Sequence, residues 1–168
     1  MILDNGDPRP VLLVDVDGVL NPWGATDCPP GFSTHDFFPG ERVLLSRAHG
    51  DLLTSLASAY ELVWATAWEH NANRLIAPVL ALPELPVIEF PVDGRDPYFR
   101  KLPAVILAVG QRPCAWIDDE HRPDHYTWAD QRGVPTLLVD IDPTEGLTRD
   151  VVTRLADWAA DLVHRGLS

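Results

Sequence analysis

Short apolar runs alternate with helical segments along this chain, and this alternation restricts the possible folds more than any other feature. The runs lie at residues 11–16, 61–66, 86–90, 114–118 and 135–140, and apolar residues recur at helical spacing over 48–59, 69–82, 98–109 and 147–163. Each run is apolar on both faces, which is typical of parallel strands covered on two sides. We therefore expect an α/β fold, a doubly wound parallel sheet of about five strands joined by right-handed crossovers.

Residues 21–47 interrupt this alternation with a stretch dense in proline, glycine and aromatic residues, followed by a possible short strand at 42–46. Long loops in compact domains are usually functional or partly disordered. This one starts where the first strand is expected to end, and open α/β sheets bind ligands outside the carboxyl ends of their strands. We interpret the chain as one domain over residues 1–168, with residues 21–47 as a flap inserted over the site.

The charge balance restricts the partners. Thirteen basic residues stand against 25 acidic ones, which gives a net charge of −12. This charge repels polyanions and disfavours non-specific binding to nucleic acid or anionic membranes, while a local basic pocket stays compatible with it. No apolar run is long enough to cross a bilayer, and the first residues lack the layout of a signal peptide. We expect a cytoplasmic protein that does not bind membranes, with Cys28 and Cys114 reduced.

Paired carboxylates end two of the expected strands. Asp15 and Asp17 end the first strand, with Gly18 after them, and Asp118 and Asp119 end the fourth. Two carboxylates this close repel each other unless a cation or a shared proton relieves them. Oxygen ligands of this kind suit Mg²⁺. Taken singly, each pair is equally compatible with a solvated acidic turn.

A hydroxyl and a lysine stand at comparable places. Thr66 ends the second strand, where its side chain and the neighbouring amide of Ala67 can donate to an anion at a helix start. Lys101 is the single lysine among thirteen basic residues, and its compact ammonium can contact a phosphate and a carboxylate together. Alone, Thr66 would be interpreted as an ordinary helix cap and Lys101 as a solvated surface charge.

These residues are all expected at the same edge of one sheet, an arrangement that chance would rarely produce. In their order along the chain they resemble the four motifs of the haloacid dehalogenase (HAD) superfamily of phosphohydrolases. The resemblance implies Asp15 as the nucleophile and Asp17 as the general acid/base. It implies that Thr66, Ala67 and Lys101 bind the phosphoryl group.

The same resemblance implies a Mg²⁺ site. Its ligands would be Asp15, Asp17 through its backbone carbonyl, Asp118 and, at the end of the same motif, Asp119. An acid at position 17 resembles the phosphatase and phosphotransferase branch of the superfamily, since the dehalogenases lack it.

A narrower resemblance comes from the residues around the motifs, in the sequences VDVDGVLN and LVWATAWEHNAN. It is similar to small stand-alone members of the superfamily related to HAD domains of multidomain RNA-repair proteins. The segment 21–47 is too short for a cap domain, so the resemblance implies a capless enzyme with an exposed site. Such a site suits a bulky phosphorylated substrate, or a lid supplied by a partner subunit in a homo-oligomer.

The leading hypothesis is therefore a Mg²⁺-dependent phosphomonoester hydrolase that acts on a phosphorylated substrate through an aspartyl-phosphate on Asp15. One alternative is a phosphatase of 3′ or 5′ nucleic-acid ends in repair, which the narrower resemblance favours and the net charge disfavours. Another is a catalytically idle module that binds phosphate or a partner. The intact acid pair and Lys101 speak against that module.

Several further residues have two interpretations. The aromatic residues of the flap region either pack it onto the body, the favoured interpretation, or stack on a base or sugar; they are Trp23, Phe37, Phe38 and Trp68. Arg95 and Arg100 are candidate phosphate contacts, and His121 with His125 is a candidate zinc pair. For the arginines and histidines too, a structural or solvated role is favoured.

Overall fold

A computed structural model describes residue 3, residues 6–90 and residues 97–167 of the chain, with the backbone alone over 97–100. Its strands are β1 (Val11–Val14), β2 (Ser33–His35), β3 (Val43–Leu45), β4 (Glu61–Trp64), β5 (Cys114–Asp118) and β6 (Thr136–Asp140). Its helices are α1 (Arg47–Leu56), α2 (Ala77–Leu80), α3 (Pro97–Val109), α4 (Pro123–Gln131) and α5 (Arg149–Arg165), and a π-helical turn at Ala72–Ile76 leads into α2.

The central sheet has four parallel strands in the order β4-β1-β5-β6. The chain starts in an inner strand and winds outward to both sides, so the expected doubly wound α/β fold is confirmed. Two apolar clusters cover the sheet. The larger one joins its face to α1, α2 and α5, and the smaller one joins the other face to α3, with Trp128 of α4 packed against it.

The fifth expected strand, at 86–90, is reduced to a single bridge between Val87 and Trp64. Trp64 donates to the Pro86 carbonyl at 2.9 Å and accepts from the Ile88 amide at 2.9 Å. The next parallel bond toward the amino end would need an amide hydrogen on Pro86. Proline has none, so the ladder stops there.

The helix expected over 69–82 is shorter and less regular. It consists of the π-helical turn at Ala72–Ile76 and the single turn of α2. In an α-helix Pro78 would have to donate to the carbonyl of Arg74, and it cannot. The wider turn directly before Pro78 is the local response, in place of a simple kink.

Residues 21–47 carry the antiparallel pair β2 and β3. Asn21 anchors the start of this segment, because its side-chain oxygen accepts from the Leu44 amide at 2.9 Å and its Nδ2 donates to Asp17. Phe37 and Phe38 both contact the ring of Trp68, with ring centroids 6.2 and 5.7 Å away. The segment thus lies against the carboxyl edge of the sheet.

In the described part of the chain, no helix is both long and apolar enough to cross a membrane.

Candidate active site

The sheet brings the residues of all four sequence motifs to one edge. Asp15 follows β1, Thr66 follows β4, and Asp118 is the last residue of β5. Lys101 reaches the same place from the first turns of α3. Asp15, Thr66 and Asp118 are buried, as expected where the ends of parallel strands meet beneath loops.

Lys101 bridges the first and the last motif. Its Nζ donates to Asp15 Oδ2 at 2.9 Å and to Asp118 Oδ2 at 2.6 Å. Burial alone would lower the pKa of Lys101, but the two carboxylates outweigh burial and hold its pKa above the usual value. The ammonium is therefore a fixed positive charge at the floor of the site.

Three carboxylates converge around this ammonium. Oxygens of Asp15, Asp118 and Asp119 all lie within 4.8 Å of one another. Burial raises the pKa of Asp15 to about 6, with Asp118 adding to the shift and Lys101 opposing it. Burial also raises the pKa of Asp118 and of Asp119. In all three residues burial is the largest cause, because it disfavours the charged form of the carboxyl group, and Lys101 acts against it.

The remaining bonds of these carboxylates come from nearby donors. Asp15 Oδ1 accepts from the Val16 amide at 2.8 Å, and the nearby Thr66 hydroxyl acts to lower the pKa of Asp15, against the effect of burial. Asp118 accepts from the Glu120 amide at 3.1 Å and from Trp116 Nε1 at 3.1 Å. Buried carboxylates with several donors keep one orientation.

Asp17 stands slightly apart from that group. Its Oδ1 accepts from Asn21 Nδ2 and its Oδ2 from Trp68 Nε1, each at 2.8 Å. Both oxygens are thus held by side chains, and the carboxyl group is fixed at the mouth of the site. Among the described residues the side chain of Asp17 does not join the cluster of possible metal ligands, so a metal contact by this residue rests on its backbone carbonyl, as the resemblance implies.

Two cavities lie over these residues. The inner cavity, of about 140 Å³, is lined by Asp15, Asp17, Trp23, Ala67, Phe90, Lys101 and Asp119. The outer groove, of about 730 Å³, is lined by Asp17, Asn21, Trp23, Phe38, Glu41, Arg42, Val43, Ala67, Trp68 and Asn71. The two share Asp17, Trp23 and Ala67, so the inner cavity and the groove lie next to each other with these residues at their boundary.

The donors that orient the carboxylates were not predicted from the sequence. Trp23 and Trp68 were expected to act as aromatic surfaces only, whereas their indole N–H groups donate to Asp119 Oδ2 at 3.0 Å and to Asp17 Oδ2 at 2.8 Å. Asn21, directly after the first motif, was not singled out. Its position in the sequence LNPW beside two carboxylates was a signal, since an amide there is within reach of them.

The less favoured candidates are placed as follows. Arg95 lies outside the described residues, and so does the side chain of Arg100. His121 Nδ1 lies 2.8 Å from Asp140 Oδ1, and His125 Nδ1 accepts from the Arg122 amide at 2.8 Å. Within the described residues the possible metal cluster is made of aspartates and includes neither histidine.

An aspartate after β1, a hydroxyl after β4, a lysine in α3 and acids at the end of β5 thus meet at the carboxyl edge of a doubly wound sheet, in the chain order of the four motifs of the HAD superfamily. A family model agrees: that of the HAD domain in Swiss Army Knife RNA repair proteins matches residues 11–152. The chain belongs to this family, and the resemblance drawn from the motifs is confirmed. No curated protein matches the chain. Membership supports a phosphohydrolase-type function.

Proposed function

We propose that the protein is a Mg²⁺-dependent phosphomonoester hydrolase that acts through an aspartyl-phosphate on Asp15. The observation that carries this proposal is the bridge from Lys101 to Asp15 and Asp118 at the floor of the inner cavity, 2.9 and 2.6 Å long. It puts a candidate nucleophile and a fixed positive charge side by side in a space that holds about four or five water molecules.

The donor set fits a hard divalent cation. Asp15, Asp118 and Asp119 carry three negative charges when ionised and Lys101 carries one positive charge, which leaves two negative charges to offset. Mg²⁺ takes carboxylate oxygens and keeps several waters. The carboxylates of Asp15, Asp118 and Asp119 would hold it, together with the backbone carbonyl of Asp17. When bound, the ion offsets the repulsion between a carboxylate nucleophile and a phosphate dianion.

Asp15 performs the first step. One of its carboxylate oxygens attacks phosphorus in line with the ester oxygen, so that an Asp15–phosphorus bond forms while the phosphorus–ester bond breaks. Its orientation is already set by the Val16 amide and the Lys101 ammonium. Little reorientation is then needed before attack.

Asp17 moves the protons. In its acid form it donates a proton to the departing ester oxygen, which leaves as an alcohol. In the second step it accepts a proton from the water that attacks the aspartyl-phosphate, and phosphate and free Asp15 result. The side chains of Asn21 and Trp68 hold Asp17 where the inner cavity meets the groove, beside the path of the leaving group.

Thr66, Ala67 and Lys101 stabilise the phosphoryl oxygens. Ala67 lines both cavities, and Thr66 lies directly before it at the end of β4. A hydroxyl, a backbone amide and an ammonium placed before reaction stabilise charge on the equatorial oxygens as the transition state forms.

The experiment is phosphate release from p-nitrophenyl phosphate, nucleotides and sugar phosphates, with Mg²⁺ or with EDTA. Wild type is compared with Asp15→Asn, and Asp130→Asn, an exposed aspartate on α4, is the matched control. We expect metal-dependent turnover in wild type and control and none in Asp15→Asn. Full activity in Asp15→Asn would refute the assignment. Mg²⁺ binding with no turnover of any compound would favour the idle binding module.

A second candidate function is hydrolysis of a phosphate at a nucleic-acid end, which the family match to RNA repair proteins favours. The net charge of −12 works against a long contact with a polyanion. Oligonucleotides with 3′ or 5′ phosphates belong in the same panel. A higher kcat/KM for these than for nucleoside monophosphates would favour end repair.

A further inference from the structure

We infer that the outer groove binds the leaving group of the substrate and selects a planar ring, so that the substrate class is a nucleotide with its base lying against Trp23. This inference rests on the proposed function, since it assumes that the phosphoryl group occupies the inner cavity. The inference identifies the leaving group of the substrate, which the chemistry at the phosphate does not specify.

The groove lies directly beside the inner cavity. Asp17, Trp23 and Ala67 line the inner cavity and the groove alike. Asp17 is the proposed donor to the ester oxygen, so that oxygen lies at this junction. The rest of the leaving group then extends into the groove. A volume of about 730 Å³ lies within the range of small-molecule sites, roughly 300 to 1,000 Å³.

Trp23 is exposed at the groove and already held in place. Its side chain is 57% exposed, yet it is held at several points. The indole N–H donates to Asp119 at 3.0 Å, the Trp23 amide donates to the Asn21 carbonyl at 2.7 Å, and the Gly24 amide donates to the Pro143 carbonyl at 3.0 Å. An exposed ring that is already ordered can stack on a ligand with little further loss of conformational entropy.

Polar side chains also line the groove. Glu41, Arg42 and Asn71 line the groove beside its aromatic residues. Arg42 is itself held by the Ala25 carbonyl at 2.7 Å. Carboxylate, guanidinium and amide groups are the side chains that pair with base edges. A flat apolar ring with hydrogen-bonding edges is the ligand chemistry that matches both sets of groups.

The charges in the groove limit how much nucleic acid it can hold. Arg42 is the cation among its described lining residues, and Asp17 and Glu41 are acids. One cation does not support a run of backbone phosphates. A single nucleotide therefore fits, either free or as the last residue of a strand.

The test compares adenosine 5′-monophosphate with ribose 5-phosphate, which has the same sugar and phosphate and no base. The readout is the ratio of the two kcat/KM values for each variant, because a general loss of activity cancels in this ratio. We expect wild type to prefer the nucleotide by about tenfold or more, the size of one base-stacking contact. Trp23→Leu is expected to lose about tenfold of this preference.

Trp23→Phe separates stacking from the contact with Asp119, since it keeps a ring and removes the indole N–H. It should retain most of the preference, whatever happens to overall activity. Leu107→Gln changes a 73% exposed apolar side chain of α3 outside both cavities and is the matched control. An unchanged ratio in Trp23→Leu would overturn the inference.

A binding measurement distinguishes failure of this inference from failure of the proposed function. Calorimetry with Asp15→Asn and Mg²⁺ compares the same two ligands without turnover. Tighter binding of the nucleotide that is lost in Asp15→Asn/Trp23→Leu supports the groove even if wild type hydrolyses nothing. Turnover of both ligands with equal kcat/KM supports the hydrolase and overturns the groove.

Two further arms identify the source of the base and a competing occupant. Mononucleotides are compared with oligonucleotides phosphorylated at one end, and ring-dependent preference for either supports the inference and names the source. Sedimentation of wild type and Trp23→Leu tests whether a second copy covers Trp23. A wild-type dimer that Trp23→Leu dissociates would overturn the inference.

Discussion

Gly18 lies directly against the carboxyl group of Asp119. A Cβ at Gly18 would come within 2.2 Å of Asp119 Cγ, and the φ angle of Gly18 is +75°. The glycine after the first motif is thus required twice, by its backbone conformation and by the acid at the end of the last motif. The first and the last motif can pack this closely only because Gly18 has no side chain.

Gly18→Ala should therefore disturb the metal cluster. Left-handed backbone costs a non-glycine residue about 1–2 kcal/mol, and the added methyl group must also displace Asp119. We expect weaker Mg²⁺ binding and a large loss of turnover. Calorimetric titration with Mg²⁺ and steady-state kinetics measure these two effects, and thermal unfolding measures the cost in stability.

Gly133→Ala is the matched control for this change. Gly133 has a φ of +66° and open space where a Cβ would lie, so it shares the backbone strain without the clash. We expect only the loss of stability that the backbone strain causes, with normal Mg²⁺ binding. Equal Mg²⁺ affinity in Gly18→Ala and Gly133→Ala would contradict the importance of the Gly18–Asp119 contact.

Lys101→Met should destabilise the protein at pH 8 in the absence of metal. It leaves Asp15 and Asp118 buried without their ammonium, and removal of one partner of a buried ion pair typically costs about 3–5 kcal/mol. Because Mg²⁺ or protonation of these carboxylates offsets the missing charge, added Mg²⁺ or a lower pH should restore part of the stability. Urea unfolding at two pH values, with and without Mg²⁺, measures this.

An exposed cation is the control for Lys101. Arg165 pairs with Asp161 at 2.7 Å, and its side chain is 64% exposed. Arg165→Met is expected to cost less than about 1 kcal/mol and to show no rescue by Mg²⁺. A Lys101→Met protein as stable as wild type without metal would show that the ammonium does not offset the buried carboxylates.

Trp68→Phe should lower kcat. It keeps an aromatic ring in the core and removes the indole donor to Asp17 Oδ2. A hydrogen bond to a charged group is worth roughly 1.5–3 kcal/mol, so a kcat about 10- to 150-fold lower is expected if Asp17 must be held in place. Steady-state kinetics checks this, with Trp158→Phe as the control, since Trp158 stacks on Tyr60 and lines neither cavity. Equal kcat in the two variants would argue against a positioning role for Trp68.

The stability of the fold should decrease in mild acid because of His125. Burial lowers its pKa from 6.5 to about 4, and its unprotonated Nδ1 accepts from the Arg122 amide at the start of α4. Between about pH 6.5 and pH 4 the unfolded chain binds a proton that the folded protein does not. The stability that depends on unprotonated His125 is therefore fully present above pH 6.5, and it is lost as the pH falls from 6.5 to 4.

His125→Asn keeps an acceptor at this position and does not titrate. We expect the slope of unfolding free energy against pH to decrease by up to about 1.4 kcal/mol per pH unit between pH 6.5 and 4. Urea unfolding at several pH values measures the slope. His164→Asn, an exposed histidine on α5, is the control and should leave the slope as in wild type. An unchanged slope in His125→Asn would rule out this source of acid sensitivity.

Much of the fold could be predicted from the sequence because its signals are local. A few consecutive residues are enough to show each apolar run that forms a strand of the central sheet, namely β1, β4, β5 and β6. A few helical turns are enough to show the apolar stripe of α5. The prediction of a strand at 86–90 was wrong. Pro86 has no amide hydrogen, and this matters only because the segment lies beside Leu62 and Trp64 in the folded chain. The sequence of one segment does not show which residues of another segment it will pair with.

The fold class, the family and the acids, hydroxyl and lysine that gather at one edge could be inferred from the residues alone, because parallel strands bring their carboxyl ends together whatever the loops do. How those groups are held became clear only from the folded chain. Trp68 is 51 residues from Asp17, and Trp23 is 96 residues from Asp119. Which loop donor reaches which carboxylate depends on packing between distant segments, and no local pattern encodes it. For the same reason the groove beside Asp17 could not be predicted, because residues of the flap and of the sheet edge form it together.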